Sequence, residues 1–114
     1  MKQRMEDYLY LENLGIGPII YRVGEDYIIM EKMDITLKDY LKKHPELNNY
    51  FYEKTLEDIN LMYKDGLYDG DFRLENIMLN PPNLKLYWID PNLIEIDEEY
   101  QELLDYIPIM FNIS

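Results

Sequence analysis

The chain has 114 residues, of which 47% are apolar and 30% charged, a composition typical of one small globular domain. Its 11 basic and 23 acidic residues give a formal charge of −12, which argues against binding to nucleic acid or to an anionic membrane surface. The absence of cysteine excludes disulfides, thiolate zinc sites and cysteine nucleophiles. Neither a signal peptide nor an apolar run long enough to span a membrane is visible, so we expect a cytoplasmic protein.

The N-terminal part predicts a helix followed by a β-hairpin. Residues 2–14 carry apolar or aromatic side chains at helical spacing, which predicts one buried face, and the Gly and Pro residues at 15–18 end the helix. Two short β-rich runs follow, at residues 19–21 and 27–30. The Val-Gly-Glu-Asp sequence between them predicts a hairpin turn.

The middle of the chain predicts two helices. Thr36 is a good N-cap for a short helix, with Asp39 at the third position after it, and His44-Pro45 ends that helix. A longer helix is expected over residues 49–64.

The remainder predicts a second hairpin and a last helix. Apolar runs at residues 77–79 and 84–89 flank a Pro-Pro-Asn turn, and residues 97–110 form an amphipathic pattern that we expect Pro108 to break. The order of helix, two strands, two helices, two strands and helix indicates an α+β fold in a single domain.

Polar residues flank the second predicted hairpin, before its first strand and after its second. Asp71 and Asn76 precede its first strand, and Asp90 follows its second. Because a hairpin returns the chain, we expect the side chains of Asn76 and Asp90 to converge, with Asp71 beside them. Amide and carboxylate oxygens suit Mg²⁺, and Asp71 could accept a proton from a hydroxyl group.

These residues lie in motifs that resemble those of the protein-kinase-like superfamily. The sequence Tyr-Asp-Gly-Asp-Phe-Arg-Leu-Glu-Asn at 68–76 resembles the catalytic loop, and Arg73 in place of lysine is similar to small-molecule and atypical kinases. Residues 86–92 resemble the strand and aspartate of the metal motif, and residues 27–33 resemble the last small-lobe strand and the hinge. The resemblance covers about residues 5–93 in the family's order.

The resemblance implies a truncated protein-kinase-like fold. Residues 1–30 would be a small-lobe remnant, 31–35 the hinge and 36–114 a partial large lobe, and Glu6 is the best match for the ion-pairing glutamate of the small-lobe helix. The chain is also similar to short kinase-like proteins of large DNA viruses, which would place it in a host cytoplasm.

The resemblance also implies roles for individual residues. Asp71 would be the catalytic base and Arg73 would neutralise the transferring phosphate. Asn76 and Asp90 would bind Mg²⁺, with Asn76 also contributing to the nucleotide site. The adenine of ATP would bind the backbone of two hinge residues, Glu31 and Met33.

The chain departs from the family in ways that leave several functions open. It has no Gly-rich loop and no lysine to anchor phosphates, and Asp69 replaces the usual histidine. One hypothesis is a minimal ATP- and Mg²⁺-dependent phosphotransferase of the serine/threonine-kinase type. The alternative is a non-catalytic pseudokinase module that binds or mimics a complete kinase, or pairs with a second chain that supplies the missing lobe. A third class is a metal-dependent phosphoester hydrolase built on Asp71, Asn76 and Asp90.

Overall fold

The computed structural model describes residues 2–113. It confirms the predicted α+β class, since helices pack against small antiparallel sheets. Between residues 2 and 113, no helix combines the length and the apolar character needed to cross a membrane. The elements are α1 (Lys2–Leu14), β1 (Ile20–Val23), β2 (Ile28–Met30), β3 (Ile35–Thr36), α2 (Leu37–Lys43), α3 (Asn48–Tyr63), β4 (Leu67–Asp69), β5 (Ile77–Asn80), β6 (Asn83–Trp88), β7 (Leu93–Glu95) and α4 (Glu99–Met110), with 3₁₀ turns at Pro45–Leu47 and Leu74–Asn76.

Both predicted hairpins are present, and three short strands add to the predicted order. β1 pairs antiparallel with β2, and β5 with β6, where Ile77 lies opposite Trp88. The additional strands are β3, which pairs with β5, and β4, which pairs with β7. Each has only two or three residues, too few to show the alternation by which a strand is predicted.

The hydrophobic core lies between the helices and the β5–β6 hairpin. Leu11 of α1 and Phe51 of α3 are fully buried, and Trp88 at the end of β6 is 1% exposed. Phe72, from the loop between β4 and β5, packs on Trp88 with ring centroids 5.3 Å apart. Burial of these large apolar side chains is the main favourable contribution to folding, and it anchors the polar loop to the core.

The predicted helix ends are largely confirmed. Thr36 Oγ1 accepts the N–H of Asp39 at 3.1 Å, so Thr36 caps α2 as expected. The helix ends at Lys43, and the N–H of its C-cap residue His44 donates to the Tyr40 carbonyl at 3.0 Å. α3 covers Asn48–Tyr63, one residue earlier at each end than predicted.

The prediction that Pro108 breaks the last helix is wrong, because α4 continues to Met110. Pro108 lies in the last turn, where its missing N–H removes a single helical bond. The chain after it still closes the helix, since the Phe111 N–H donates to the Ile107 carbonyl at 3.2 Å. Ile107 and Phe111 are buried, so packing in the core outweighs the cost of the proline.

A carboxylate on α3 contacts the core directly. Trp88 Nε1 donates to Asp58 Oδ2 at 2.9 Å. Burial raises the pKa of Asp58 from 3.8 to about 6, against the opposing effect of that hydrogen bond. The folded protein therefore favours the protonated form of Asp58, and its stabilising contribution is lost as the pH rises from about 3.8 through about 6.

We therefore expect Asp58→Asn to stabilise the protein at neutral pH. The amide oxygen can still accept from Trp88 Nε1, while the cost of ionising a half-buried group disappears. The gain should be about 2 kcal/mol at pH 7.5, after a discount for partial exposure, and should shrink as the pH approaches 4. Thermal denaturation across this pH range measures it, with Glu53→Gln on the exposed side of α3 as the charge-matched control. A lower melting temperature for Asp58→Asn at pH 7.5 would contradict the interpretation.

Candidate functional site

Asp71 lies half-buried in the loop between β4 and β5, held by two neighbours. The Arg73 guanidinium donates through Nη2 to both carboxylate oxygens of Asp71, at 3.1 and 3.2 Å. Asn76 Nδ2 donates to the Asp71 carbonyl at 3.1 Å. Phe72 between them is buried, with 8% exposure. Because Phe72 faces the core, its polar neighbours Asp71 and Arg73 are directed away from it.

Asp90 follows β6 and has a φ of 45°, in the left-handed region that residues other than glycine rarely adopt. Tyr8 of α1 supports this conformation, since its hydroxyl accepts the Asp90 N–H at 2.8 Å and lies 3.5 Å from Asp90 Oδ1. Burial raises the pKa of Tyr8, so its hydroxyl stays protonated. Arg4, one turn earlier on α1, lies 3.7 Å from the same Oδ1. Such backbone outliers concentrate at functional sites.

Asp71 and Asp90 line one cavity of about 430 Å³. Arg4 and Asp7 of α1 form another part of its wall. Asp7 is 5% exposed and accepts the Leu93 N–H at 3.2 Å, which ties α1 to the chain just beyond Asp90. The predicted catalytic loop and the predicted metal loop therefore meet at a cavity of the size that small-molecule sites have.

Asn76 is not among the described residues that line this cavity, but the β5–β6 hairpin places its backbone next to the chain that leads to Asp90. The Ile89 N–H donates to the Asn76 carbonyl at 2.8 Å, so Asp90 is the next residue along the opposite chain. Asn76 Nδ2 lies 3.5 Å from Asp71 Oδ2 in addition to its bond to the Asp71 carbonyl. These contacts hold the amide nitrogen of Asn76 against Asp71.

Asp69, the last residue of β4, joins the two loops. It is 2% exposed, and its Oδ1 accepts both the Asp71 N–H at 3.0 Å and the Asn92 N–H at 3.1 Å. Its Oδ2 is buried with no hydrogen-bond partner in the part of the chain that the structure describes. Burial raises the pKa of Asp69 above its ordinary value. No local pattern in the sequence identifies Asp69 as the residue that joins the two loops.

The two predicted hinge residues lie in the segment between β2 and β3. The Glu31 N–H donates to the Ile19 carbonyl at 2.8 Å, and the Glu31 carboxylate accepts the Ile19 N–H at 3.1 Å. Neither Glu31 nor Met33 lines the cavity shared by Asp71 and Asp90. The structure thus places the predicted hinge apart from that cavity, and the contact of Glu31 and Met33 with adenine stays a prediction.

Asn80 fixes the backbone of the predicted hinge. This residue ends β5, and its Oδ1 accepts the Asp34 N–H at 2.7 Å while its Nδ2 donates to the Lys32 carbonyl at 3.3 Å. The two contacts hold the backbone on either side of Met33. Sequence reasoning missed Asn80, because no local pattern shows that a strand end will meet a segment more than 40 residues earlier.

The residues of α1 that contact the site differ from the one that the resemblance singled out, and the ion-pairing role of Glu6 stays a prediction. Glu6, the predicted ion-pairing residue, is exposed and does not line the cavity. The residues of α1 that contact the site are Arg4, Asp7 and Tyr8. Helical spacing contained the necessary information, since Asp7 and Tyr8 lie four and three residues before the fully buried Leu11.

The site brings carboxylate oxygens together with two guanidinium groups, Arg4 on α1 and Arg73 on the loop between β4 and β5. Within residues 2–113, no group of three His, Cys, Asp or Glu side chains could hold a metal ion. Of the two predicted Mg²⁺ ligands, Asp90 lines the cavity and Asn76 bonds to Asp71, and their binding of a cation stays a prediction. The chain matches no protein-family model and no curated protein.

Proposed function

We propose that the chain is a truncated protein-kinase-like protein that acts as a minimal ATP- and Mg²⁺-dependent phosphotransferase. The observation that carries the proposal is the cavity shared by Asp71 and Asp90, with Asn76 bonded to Asp71. α1 and the β1–β2 hairpin would be the small-lobe remnant, and the elements from α2 onward the partial large lobe. We expect the protein to act in the cytoplasm, where ATP and Mg²⁺ are abundant.

Asp71 is the proposed catalytic base. The proton of an acceptor hydroxyl would pass to its carboxylate as the hydroxyl oxygen bonds to the γ-phosphorus of ATP, and the β–γ bridging oxygen would leave with the bonding electrons on ADP. Arg73 orients this carboxylate through Nη2 alone. Its other N–H donors could neutralise the transferring phosphate, as the resemblance implies.

Asn76 and Asp90 are the proposed Mg²⁺ ligands. The Asn76 amide, held through its nitrogen, presents an oxygen, and Asp90 presents a carboxylate with 53% of its side chain exposed. When bound, Mg²⁺ would neutralise negative charge on the phosphate groups. The Arg4–Asp90 pair is an exposed ion pair at 3.7 Å, so opening it for a cation costs little.

Arg4 supplies some of the positive charge that a phosphate-anchoring lysine would otherwise provide. ATP brings about four negative charges to a chain of net charge −12. The structure supplies one guanidinium at each predicted carboxylate, Arg4 at Asp90 and Arg73 at Asp71. Planar guanidinium groups bind phosphate in bidentate fashion, so this pair supports a phosphate site between the two loops.

The first test is stabilisation by nucleotide. At a concentration about 100 times its Kd, Mg²⁺·ATP should stabilise the folded chain by about 2.7 kcal/mol, or roughly 10 °C in melting temperature. ATP with EDTA should give a much smaller shift, because its charge is then not compensated. Differential scanning fluorimetry with both ligands measures this difference.

Asp90→Asn is the informative variant in that experiment. It keeps the size of the side chain but removes the negative charge that binds the cation, so the Mg²⁺-dependent part of the shift should disappear. Glu25→Gln, in the exposed turn between β1 and β2, removes the same charge outside the cavity and should leave the shift unchanged. The absence of any shift for the unmodified chain at millimolar Mg²⁺·ATP would count against the phosphotransferase.

The β1–β2 hairpin favours the pseudokinase module as the second candidate. Its large side chains include Tyr21, 65% exposed, and Ile29, 48% exposed. A two-stranded hairpin is marginally stable alone, and an exposed apolar sheet edge is a template for a further strand. This candidate predicts that a complete kinase, or a second chain supplying the missing lobe, binds equally well to the Asp90→Asn variant.

A further inference from the structure

A second cavity, of about 530 Å³, lies between α2, the Leu74–Asn76 turn and α4. Its volume lies within the range of about 300 to 1,000 Å³ that is typical of small-molecule sites. Among its described lining residues, only Arg73 has a role in the proposed phosphotransferase.

The charge of this cavity is opposite to that of the chain. Its described lining includes three basic side chains, Lys38, Lys42 and Arg73, and one acidic side chain, Glu75. In the whole sequence, acidic residues outnumber basic ones by 23 to 11. Each of the three cations has a carboxylate partner: Lys38 lies 3.6 Å from Glu75, Lys42 lies 3.9 Å from Asp39, and Arg73 is paired with Asp71. These side chains are about half exposed or more, so the pairs are weak and the cations can turn to an anionic ligand group at little cost.

Apolar side chains form the rest of the lining. Leu41 of α2 is 8% exposed, and Leu74 and Met110 lie partly buried beside it. Tyr106 of α4 also lines the cavity and is 54% exposed, so its ring faces solvent without a ligand. A ligand that contacts both the cationic and the apolar side chains would carry an aromatic or aliphatic body next to its anionic group.

Arg73 connects this cavity to the proposed catalytic base. It lines the cavity, and its Nη2 also lies 3.1 Å from Asp71 Oδ1. A molecule whose anionic group is held by Lys38 and Lys42 can therefore extend past Arg73 toward Asp71. The carboxylate that would remove a proton from an acceptor lies just beyond that guanidinium.

We propose that this cavity is the phosphoryl-acceptor site, and that it binds a small hydroxylated molecule carrying a phosphate or carboxylate group beside an apolar body. The hydroxyl would lie at Asp71, lose its proton to that carboxylate and form the new bond to the γ-phosphorus, while ADP leaves. The acceptor role rests on the proposed phosphotransferase function, whereas binding of the amphipathic anion does not.

Binding is tested with phenyl phosphate, titrated into the ¹⁵N-labelled full chain without Mg²⁺ or nucleotide and followed by NMR. We expect saturable shifts in α2 and α4, with inorganic phosphate and phenol each binding at least about fivefold more weakly because each satisfies one wall only. Lys42→Met and Tyr106→Ala should each weaken phenyl phosphate by about fivefold. Lys43→Met and Ile109→Ala, exposed neighbours outside the cavity, should leave its affinity unchanged.

The remaining outcomes distinguish the binding of an amphipathic anion in this cavity from the role of the cavity as phosphoryl-acceptor site. Asp90→Asn should leave phenyl phosphate binding intact, although it removes the Mg²⁺-dependent nucleotide shift, so the two proposals fail independently. A shift of the Arg73 Nε–H resonance on binding supports the acceptor position, and shifts that omit Arg73 overturn it. Equal binding of inorganic and phenyl phosphate, or no effect of Lys42→Met, overturns the site itself. Phenyl phosphate binding without any Mg²⁺·ATP binding overturns the acceptor role alone.

Discussion

Asp71→Asn is expected to lower the rate of the proposed phosphoryl transfer by about 100- to 10,000-fold, the range found when a general base is removed. Asparagine matches aspartate in size and can still accept the hydrogen bond from Arg73, but it cannot take a proton from an acceptor hydroxyl. Transfer of the γ-phosphate in a single turnover, with water as the acceptor if no other is known, measures the loss. The Asp71–Arg73 pair is about half exposed and contributes little to folding, so the melting temperature should change only slightly.

Nucleotide binding is the internal control for this variant. Because Asp71 is proposed to act on the acceptor, the Mg²⁺·ATP thermal shift should be the same in Asp71→Asn as in the unmodified chain. A phosphate transfer rate that is unchanged in a folded Asp71→Asn protein would contradict the role of base. Turnover of a phosphoester without nucleotide, lost in the same variant, would instead support the metal-dependent hydrolase.

The sequence predicted those parts of the fold whose cause is local. Thr36 followed by Asp39 specifies a helix start through a hydrogen bond within one turn, and that bond is present. Two apolar runs on either side of a Pro-Pro-Asn turn specify a hairpin, and β5 and β6 form it. The hairpin in turn accounts for the closeness of Asn76 to Asp90, since the Ile89 N–H donates to the Asn76 carbonyl.

The parts that could not be predicted depend on contacts between distant segments. Leu67–Asp69 and Leu93–Glu95 become strands only because they pair with each other. The contacts of Arg4 and Tyr8 with Asp90 depend on how α1 is rotated against the core, which no local pattern specifies. Successive side chains of an α-helix point about 100° apart around its axis, so a modest rotation of the helix changes which side chain faces the site.

In the candidate site, the side chains of three residues join separate segments of the chain through hydrogen bonds to the backbone. Tyr8 binds the Asp90 backbone, Asp7 binds the Leu93 backbone, and Asp69 binds the two loops to each other. Of the three, the Asp69 tie joins the proposed base directly to the proposed metal loop, since one oxygen accepts two N–H groups. It is also a carboxylate whose second oxygen is buried without a partner within residues 2–113, so its charge is costly.

Asp69→Ala and Asp69→Asn should accordingly behave in opposite ways. Alanine leaves the N–H groups of Asp71 and Asn92 without their acceptor, and each unsatisfied group costs about 1 to 3 kcal/mol. Asparagine keeps one acceptor oxygen and removes the buried charge. We expect Asp69→Ala to be less stable than Asp69→Asn by about 2 to 4 kcal/mol, as measured by urea denaturation.

The pH dependence distinguishes the charge from the hydrogen bonds. Since burial raises the pKa of Asp69, the protonated form stabilises the fold below the ordinary pKa of 3.8, and this contribution is lost as the pH rises. Asp69→Asn should therefore gain stability relative to the unmodified chain as the pH rises from 4 to 8, whereas Asp69→Ala should stay below Asp69→Asn throughout. Equal stability of the two variants would mean that Oδ1 does not hold the loops.

Activity separates positioning from folding in the same pair of variants. Asp69 touches neither acceptor nor nucleotide in the proposed mechanism, so it acts only by placing Asp71 and the chain after Asp90. At a temperature where both variants are folded, Asp69→Ala should lose kcat, because the base and the bound phosphate are no longer held in register, while Asp69→Asn retains most of it. If Asp69→Ala instead retained full kcat and lost only stability, Asp69 would serve the fold and not the alignment of the two loops.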